Sequence, residues 1–287
     1  MTIARADSGE QEGTAVSRLY KHISDLMEVL GQNWEGVSID YHLGLRYATE
    51  ALADKLAGLG VDSAWRILDV CCGWGGPTRY LAQRFGCRVT GVDITQRSLD
   101  LAERLTSGSP EAPLITYRWG DATSLPFDDA EFDLIWSQDA LCHVQDRPKA
   151  LAECARVLRS GGFLVFTDWL RTQFITDQEL TAFSEAFSFP SLETMGTYGH
   201  LAADAGFEIL EAEGVGKEYV HAAEALAVSK GSPTFLQRVA ARDHENTEKV
   251  IAAFGPQAHL DRLEREKMDI YFAQGKLELG RFVCRKA

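Results

Sequence analysis

The chain has 287 residues, enough for one large domain or two small ones, and its 45% hydrophobic and 25% charged residues match an ordinary globular protein. The formal net charge is −13 and no stretch is dense in Lys and Arg, so we expect no nucleic-acid partner. Residues 1–13 are polar and no run of about 18 apolar residues occurs, so we expect neither secretion nor a membrane span.

The cysteines give no sign of a metal site or of disulfides. They are scattered, without a CxxC pair or the companion histidine spacing that is typical of zinc. We therefore expect reduced thiols in a cytoplasmic protein and no bound metal. The residues concerned are Cys71, Cys72, Cys87, Cys142, Cys154 and Cys284.

Helical patterns dominate the N-terminal part. Apolar residues recur at helical spacing over residues 16–30 and again over 45–59, where Gly60 ends the pattern. We predict a helical cap over residues 1–60, ahead of the main domain at 61–287.

From residue 66 the pattern changes to short apolar runs separated by helical stretches. This alternation predicts right-handed βαβ crossovers and a parallel sheet, and therefore an α/β fold. The predicted strands are 67–71, 89–93, 114–119, 132–137 and 163–168, and the predicted helices between them are 78–85, 97–105 and 148–158.

The C-terminal half adds two insertions and further elements. Residues 170–198 are rich in Phe, Thr and Ser, and we predict a helical insertion here that could form a lid over a pocket. A helix is predicted over 200–205 and a strand over 207–215. Residues 217–275 have a mostly helical, charged pattern, and 276–285 form a last predicted strand.

The first predicted strand ends in an acid, Asp69, that is followed by a turn with Cys71, Gly73 and Gly75 and then by a helix. Small residues let the backbone approach a ligand closely, and a helix N-terminus presents unpaired N–H groups. The pattern therefore indicates a ligand at this turn. A tight turn without a ligand is the alternative.

Two more acids follow the next two strands. Asp93 and Ile94 close the second strand, where a carboxylate can accept hydrogen bonds from both hydroxyls of a ribose. Asp121 and Ala122 follow the third strand, where a carboxylate can accept one from an adenine amino group. Either acid alone could instead cap a helix. Acids at three consecutive strand ends favour a nucleoside.

The glycine-bearing turn and the three strand-end acids resemble those of the class I S-adenosylmethionine-dependent methyltransferases. Residues 132–136 and 156–162 also resemble this family. The resemblance implies S-adenosylmethionine as cofactor and S-adenosylhomocysteine as product. It also implies a Rossmann-like, doubly wound, mostly parallel seven-stranded sheet with an antiparallel last strand. A dehydrogenase is disfavoured because its G-x-G-x-x-G fingerprint is absent. Cys71 stands where the family has its first glycine, so the turn must bend slightly or hold the methionine part of the donor differently.

A closer resemblance covers nearly the whole chain. It is to the glycine, sarcosine and dimethylglycine N-methyltransferases, with phosphoethanolamine N-methyltransferases more distant. It is carried by residues 41–44, 80–82, 86–91 and above all 136–143, which in the family lie beside the transferring methyl group. The resemblance implies donor contacts at Tyr41, His42 and Gln138, and catalytic roles for Asp139 and His143.

The roles of these side chains stay open at this level. His143 is the first choice for a base that keeps an amine acceptor neutral, but it could only shape the pocket. Asp139 could orient His143, hold an ammonium group or cap the helix near residue 147. Aromatic rings could form a wall for a methylated ammonium or simply pack in the core. These are Tyr20, Tyr41, Trp74 and Trp169.

The leading hypothesis is N-methylation of a small amine or amino acid at the carboxyl edge of the sheet. An O- or C-methyltransferase of a secondary-metabolite pathway is the runner-up, because the same fold serves both reactions. A non-catalytic cofactor-binding module, an RNA methyltransferase and arsenite binding by Cys71 and Cys72 are weaker rivals. A homo-oligomer is an open expectation.

Overall fold

The protein was analysed as a computed structural model that describes residues 18, 45–218, 220, 221, 225, 244–265 and 267–287. The predicted helix at 16–30, apart from residue 18, lies outside the described residues. So do Tyr20 and the candidate donor contacts Tyr41 and His42. The division into a cap at 1–60 and a domain at 61–287 stays a prediction.

A seven-stranded sheet forms the centre of the fold, with strand order β3-β2-β1-β4-β5-β7-β6. Strands β1 to β5 pair in parallel, whereas β7 pairs antiparallel with both β5 and β6. The predicted Rossmann-like sheet with an antiparallel last strand is confirmed. The strands are β1 (Arg66–Val70), β2 (Arg88–Asp93), β3 (Ile115–Trp119), β4 (Phe132–Gln138), β5 (Leu158–Arg171), β6 (Phe207–Gly214) and β7 (Leu277–Lys286).

Helices cover both faces of this sheet. Along β4, Ile135 is buried in one apolar cluster, while Leu134 and Trp136 are buried in another. Alternating side chains of a strand point to opposite faces, so the sheet is doubly wound. The described helices are α1 (Leu45–Gly58), α2 (Gly76–Phe85), α3 (Gln96–Thr106), α4 (Arg147–Val157), α5 (Asp177–Phe187), α6 (Met195–Asp204), α7 (His244–Phe254), α8 (Pro256–Arg265) and α9 (Met268–Ala273).

Several element bounds differ from the predictions. Strand β5 begins at Leu158, five residues before the predicted start at 163, and runs through the Ser-Gly-Gly stretch. Helix α6 begins at Met195, five residues before the predicted start. Helix α5 lies inside the predicted helical insertion at 170–198, for which no helix bounds were predicted. Its start has a capping box, with the Thr176 hydroxyl accepting from the backbone of Glu179 at 3.3 Å.

The topology brings the candidate residues together. The chain leaves β1 toward β2 and β3 on one side and returns through β4 and β5 on the other side, so the order reverses between β1 and β4. A crevice at the carboxyl ends of the strands is expected at such a switch point. Across the described part of the chain, every helix is too short or too polar to cross a bilayer.

Candidate active site

The turn after β1 is built from residues in the left-handed region. Cys71 has φ 59°, Gly73 φ 53° and Gly75 φ 70°. The backbone N–H of Cys72 donates to Val92 at 3.0 Å and so ties the turn to β2. A cysteine at positive φ costs roughly 1–2 kcal/mol relative to the right-handed region. Cys71 therefore has the left-handed conformation that glycine adopts easily, and the turn contains this strain.

Gly75 has a packing role at this turn. A Cβ at this position would lie 2.1 Å from the hydroxyl oxygen of Tyr117, which itself is hydrogen-bonded to Thr106 at 2.9 Å. Gly75 is outside the lining of the cavity described below, whereas Gly73 belongs to it. Its missing side chain makes room for Tyr117 beneath the turn.

Asp69 is buried at the end of β1, where its Oδ2 accepts a 2.5 Å hydrogen bond from the Thr78 hydroxyl of α2. Burial raises the pKa of Asp69 to about 7, and the nearby Asp93 adds to this rise. Burial disfavours the charged form of a carboxyl group unless a cation compensates it. A positively charged ligand would therefore favour the ionised form of Asp69.

Asp93 and Asp121 each fasten a loop at the same edge. Asp93 accepts hydrogen bonds from the backbone N–H groups of Gly73 at 2.9 Å and Thr95 at 2.8 Å. Asp121 accepts from the backbone N–H and the hydroxyl of Thr123 at 2.8 and 2.9 Å through Oδ1. Burial raises the pKa of Asp93 above its usual value. Carboxylate oxygens have further lone pairs, so both residues keep acceptor capacity for a ligand.

A cavity of about 1190 Å³ lies above these strand ends. It contains the predicted donor contacts except Gly75 and those outside the described residues. The turn after β4, helix α5 and the segment 188–193 line its other half. We call the segment 188–193 the facing wall. The predicted residues that line the cavity are Asp69, Cys71, Gly73, Asp93, Ile94, Asp121, Ala122, Gln138, Asp139 and His143.

Gln138 and Asp139 stand at the end of β4, between the two halves of the cavity. The Gln138 Oε1 accepts a 2.9 Å hydrogen bond from Thr49 of α1. Asp139 has φ 53°, and its Oδ1 accepts a 2.6 Å hydrogen bond from the Thr167 hydroxyl. Burial raises the pKa of Asp139 to about 7. The helix near residue 147 is capped by Asp146, not Asp139.

His143 ends a single 3₁₀ turn, Leu141–His143, that follows Asp139. Its ring lies 4.8 Å from the ring of Phe189, centroid to centroid, on the facing wall. Both residues line the cavity. Phe189 and the lining residues of α5 were not predicted from the sequence, although the spacing of Thr176 and Glu179 signals the start of that helix.

The structure describes two of the aromatic candidates, Trp74 and Trp169, and their surroundings differ. Trp74 is buried and lines the cavity. Trp169 instead packs in an aromatic cluster with Phe183, Phe187 and Phe189, at centroid distances of 5.0 to 6.0 Å. The core-packing alternative therefore describes Trp169, which is not among the described residues of the cavity wall.

Two alternatives concern the ligands of the cavity: a soft ion bound by thiols and a bound metal ion. Cys71 and Cys72 both line it, and burial raises the pKa of both thiols well above the ordinary value. The raised pKa keeps both thiols protonated at neutral pH. Within the described ranges, no group of three or more His, Cys, Asp or Glu residues is placed to hold a metal ion.

A nucleoside donor fits the side chains that line the first half. Gln138 lines the cavity, and its buried Nε2 has no hydrogen-bond partner among the described residues. A buried donor group without a partner costs roughly 1–3 kcal/mol. A ligand acceptor at this point would satisfy it. Asp93 and Asp121 offer acceptors for a ribose and an amino group at two neighbouring strand ends.

Comparisons with known proteins agree with this geometry. Residues 68–166 match a family model described as a methyltransferase domain. The chain is 31% identical over 214 residues to a sarcosine/dimethylglycine N-methyltransferase from Halorhodospira halochloris, covering 69% of this chain and 74% of that relative. The chain belongs to the class I S-adenosylmethionine-dependent methyltransferases. The methyltransferase uses S-adenosylmethionine and acts on a small molecule.

Other relatives of this methyltransferase transfer to oxygen. It is 34% identical over 158 residues to a 27-O-demethylrifamycin SV methyltransferase from Amycolatopsis mediterranei, covering 54% of this chain and 58% of that one. Its fold is similar to that of a phosphoethanolamine N-methyltransferase from Haemonchus contortus with S-adenosylhomocysteine. That comparison has a TM-score of 0.66 and 21% identity, and it covers 91% of this chain and 60% of the other.

The residues of the methyltransferase have distinct tasks around the donor. When bound, the donor supplies a methyl group activated by its positive sulfonium. Asp93 and Asp121 would hold the nucleoside, and the ionised form of Asp69 would face positive charge. Methyl transfer needs an in-line approach, so holding the partners in place can supply roughly 7–11 kcal/mol of the barrier reduction. Asp139, His143 and Phe189 line the other half of the cavity.

Proposed function

We propose that this methyltransferase transfers the methyl group to the nitrogen of a small amine or amino acid. The acceptor would lie in the half of the cavity between the turn after β4 and the facing wall. The supporting observation is the charge of this half. Among its described lining residues the acids outnumber the one basic residue, Arg171, even though Glu193 is paired with Arg147, and they are Asp139, Asp146, Asp177, Glu185 and Glu193. An ammonium group is favoured beside such carboxylates.

The proposed base is His143. An amine must attack as the free base, and an imidazole has an intrinsic pKa near neutrality. Replacing His143 with Gln distinguishes a base from a residue that only shapes the pocket. Loss of a base lowers kcat by about 10²–10⁴-fold and removes one limb of the pH profile. Loss of a shaping contact raises KM for the acceptor and leaves the pH profile unchanged.

An acceptor panel tests the proposal directly. Purified protein with the methyl donor is offered glycine, sarcosine, dimethylglycine, phosphoethanolamine and a set of phenols, and products are identified by mass and by NMR of the new methyl group. The proposal expects a methyl group on nitrogen for at least one amine. Methylation only at oxygen or carbon would contradict it.

The second candidate is O- or C-methylation of a larger metabolite, and the size of the cavity favours it. Sites for one drug-sized ligand measure about 300–1000 Å³, so a cavity of about 1190 Å³ has room for the donor and an acceptor larger than glycine. The phenols in the panel test this candidate.

We further propose a cytoplasmic location, in keeping with the free thiols of all six cysteines.

A further inference from the structure

We propose that Arg147 is a positioning residue, which holds the His143 turn against the facing wall and thereby sets the shape of the acceptor half. The inference rests on the proposed function only in placing the acceptor beside His143. Arg147 is the first residue of α4 and is almost fully buried, with 3% of its surface exposed. A buried guanidinium with five donors in a rigid fork fixes the groups around it.

One side of this guanidinium holds the turn that carries His143. The Nε donates to the carbonyl of Leu141 at 3.0 Å, and Nη2 donates to the carbonyl of Cys142 at 2.8 Å. A 3₁₀ turn has poor internal hydrogen-bond geometry and is used in short pieces. The turn from Leu141 to His143 therefore depends on an outside donor for a defined position.

The other side holds the facing wall. Nη1 donates to the Ser191 hydroxyl at 2.7 Å and to the Glu193 carboxylate at 3.2 Å, and Nη2 donates to the Ser191 carbonyl at 2.6 Å. The wall is fixed a second time by Arg171, whose Nε donates to the carbonyl of Leu192 at 3.0 Å. His143 follows Cys142 and Phe189 lies two residues before Ser191, so the ring contact joins the two segments that Arg147 holds.

Helix α4 offers a matched control in Arg156. This arginine also bridges its helix to a loop, with Nη1 donating to the carbonyl of Phe127 at 2.8 Å and Nη2 to that of Leu125 at 2.9 Å. Neither Leu125 nor Phe127 belongs to the described lining of the cavity. Lysine at either position keeps the charge and loses the fork. A purely structural role for Arg147 would lower the stability of Arg147→Lys without moving the His143 signals or the acceptor kinetics.

The experiment compares Arg147→Lys with Arg156→Lys and the wild type. It measures the Kd for S-adenosylhomocysteine, kcat and KM for the best acceptor in the panel, and the imidazole NMR signals of His143, identified by their loss in His143→Gln. We expect Arg147→Lys to lower kcat/KM for the acceptor by about 10–100-fold, as a misplacement of 1 Å can do. The His143 signals should move and the donor Kd should stay within about twofold, since the donor contacts lie elsewhere. Arg156→Lys should leave all three readouts unchanged.

Wild-type acceptor kinetics and unmoved His143 signals in Arg147→Lys would overturn the inference, as would equal effects of the two lysine variants. If the panel yields no amine substrate, the proposed function fails, while the NMR comparison still decides the role of Arg147. If Arg147→Lys does not fold, Ser191→Ala removes one acceptor on the facing wall. It should shift the His143 signals in a folded protein, and unmoved signals would again overturn the inference.

Discussion

The Thr167 hydroxyl donates a 2.6 Å hydrogen bond to the Asp139 carboxylate, across the adjacent ends of β5 and β4. The backbone N–H of Asp139 also donates to the Thr167 carbonyl at 2.9 Å. These contacts hold a buried acid at positive φ beside a second buried acid, Asp168. The site keeps a carboxylate where burial and a like charge both oppose its ionisation.

Asp139→Asn should therefore stabilise the protein at high pH. The folded-state pKa of about 7 lies above the usual value of 3.8, so Asp139 contributes stability at low pH that is lost as the pH rises through 7. Asn keeps an oxygen acceptor for Thr167 without the charge. We expect a gain of about 1 kcal/mol or more in unfolding free energy at pH 8, shrinking toward pH 4. Denaturant titrations at both pH values measure it, with Asp100→Asn as an exposed control. A variant no more stable than the wild type at pH 8 would contradict this account of the site.

Asp93→Ala should weaken donor binding. The variant removes a charged acceptor and also frees the Gly73 N–H that fastens the turn. We expect the Kd for S-adenosylhomocysteine to rise about 10–100-fold, or about 1–3 kcal/mol. Calorimetric titration measures this, with Asp100→Ala on the exposed side of α3 as the control. Equal donor affinities for Asp93→Ala and the wild type would count against the ribose contact.

Donor binding should also release protons near neutral pH. Asp69 has a pKa of about 7 without ligand, and a positive sulfonium favours its ionised form. Affinity should therefore rise with pH between 6 and 8, with about half a proton released per donor at pH 7. Binding heats in phosphate and Tris buffers measure the release, because these buffers differ in ionisation enthalpy. Asp69→Asn should remove the difference between the buffers, and a wild type with no such difference would refute the assignment.

Gly75→Ala should destabilise the fold more than Gly161→Ala. Both glycines have φ near +70°, so both variants carry the same backbone strain of roughly 1 kcal/mol. A Cβ at Gly161 meets no atom within 4 Å, whereas one at Gly75 collides with Tyr117. Overpacking adds typically 1–3 kcal/mol, so thermal or denaturant unfolding should separate the two variants. Similar losses in both would show that Tyr117 moves freely.

The strand ends that line the first half of the cavity could be predicted, because their signals are local. Apolar runs mark the buried strands, and Asp69 and Asp93 close two of them. The acceptor half depends on tertiary approach. Phe189 meets His143, and Ser191 meets Arg147, across more than forty residues of sequence. No periodicity in the chain encodes such contacts, and the sequence gives no reason for a cysteine at the left-handed position 71.

A crystal structure of the protein with S-adenosylhomocysteine tests the central claim most directly. We expect the ribose of the ligand at Asp93, its adenine at Asp121 and its sulfur directed toward the end of β4, with Asp139 and His143 on the far side of the sulfur. Ligand density on another surface, or a sulfur directed away from β4, would contradict the account.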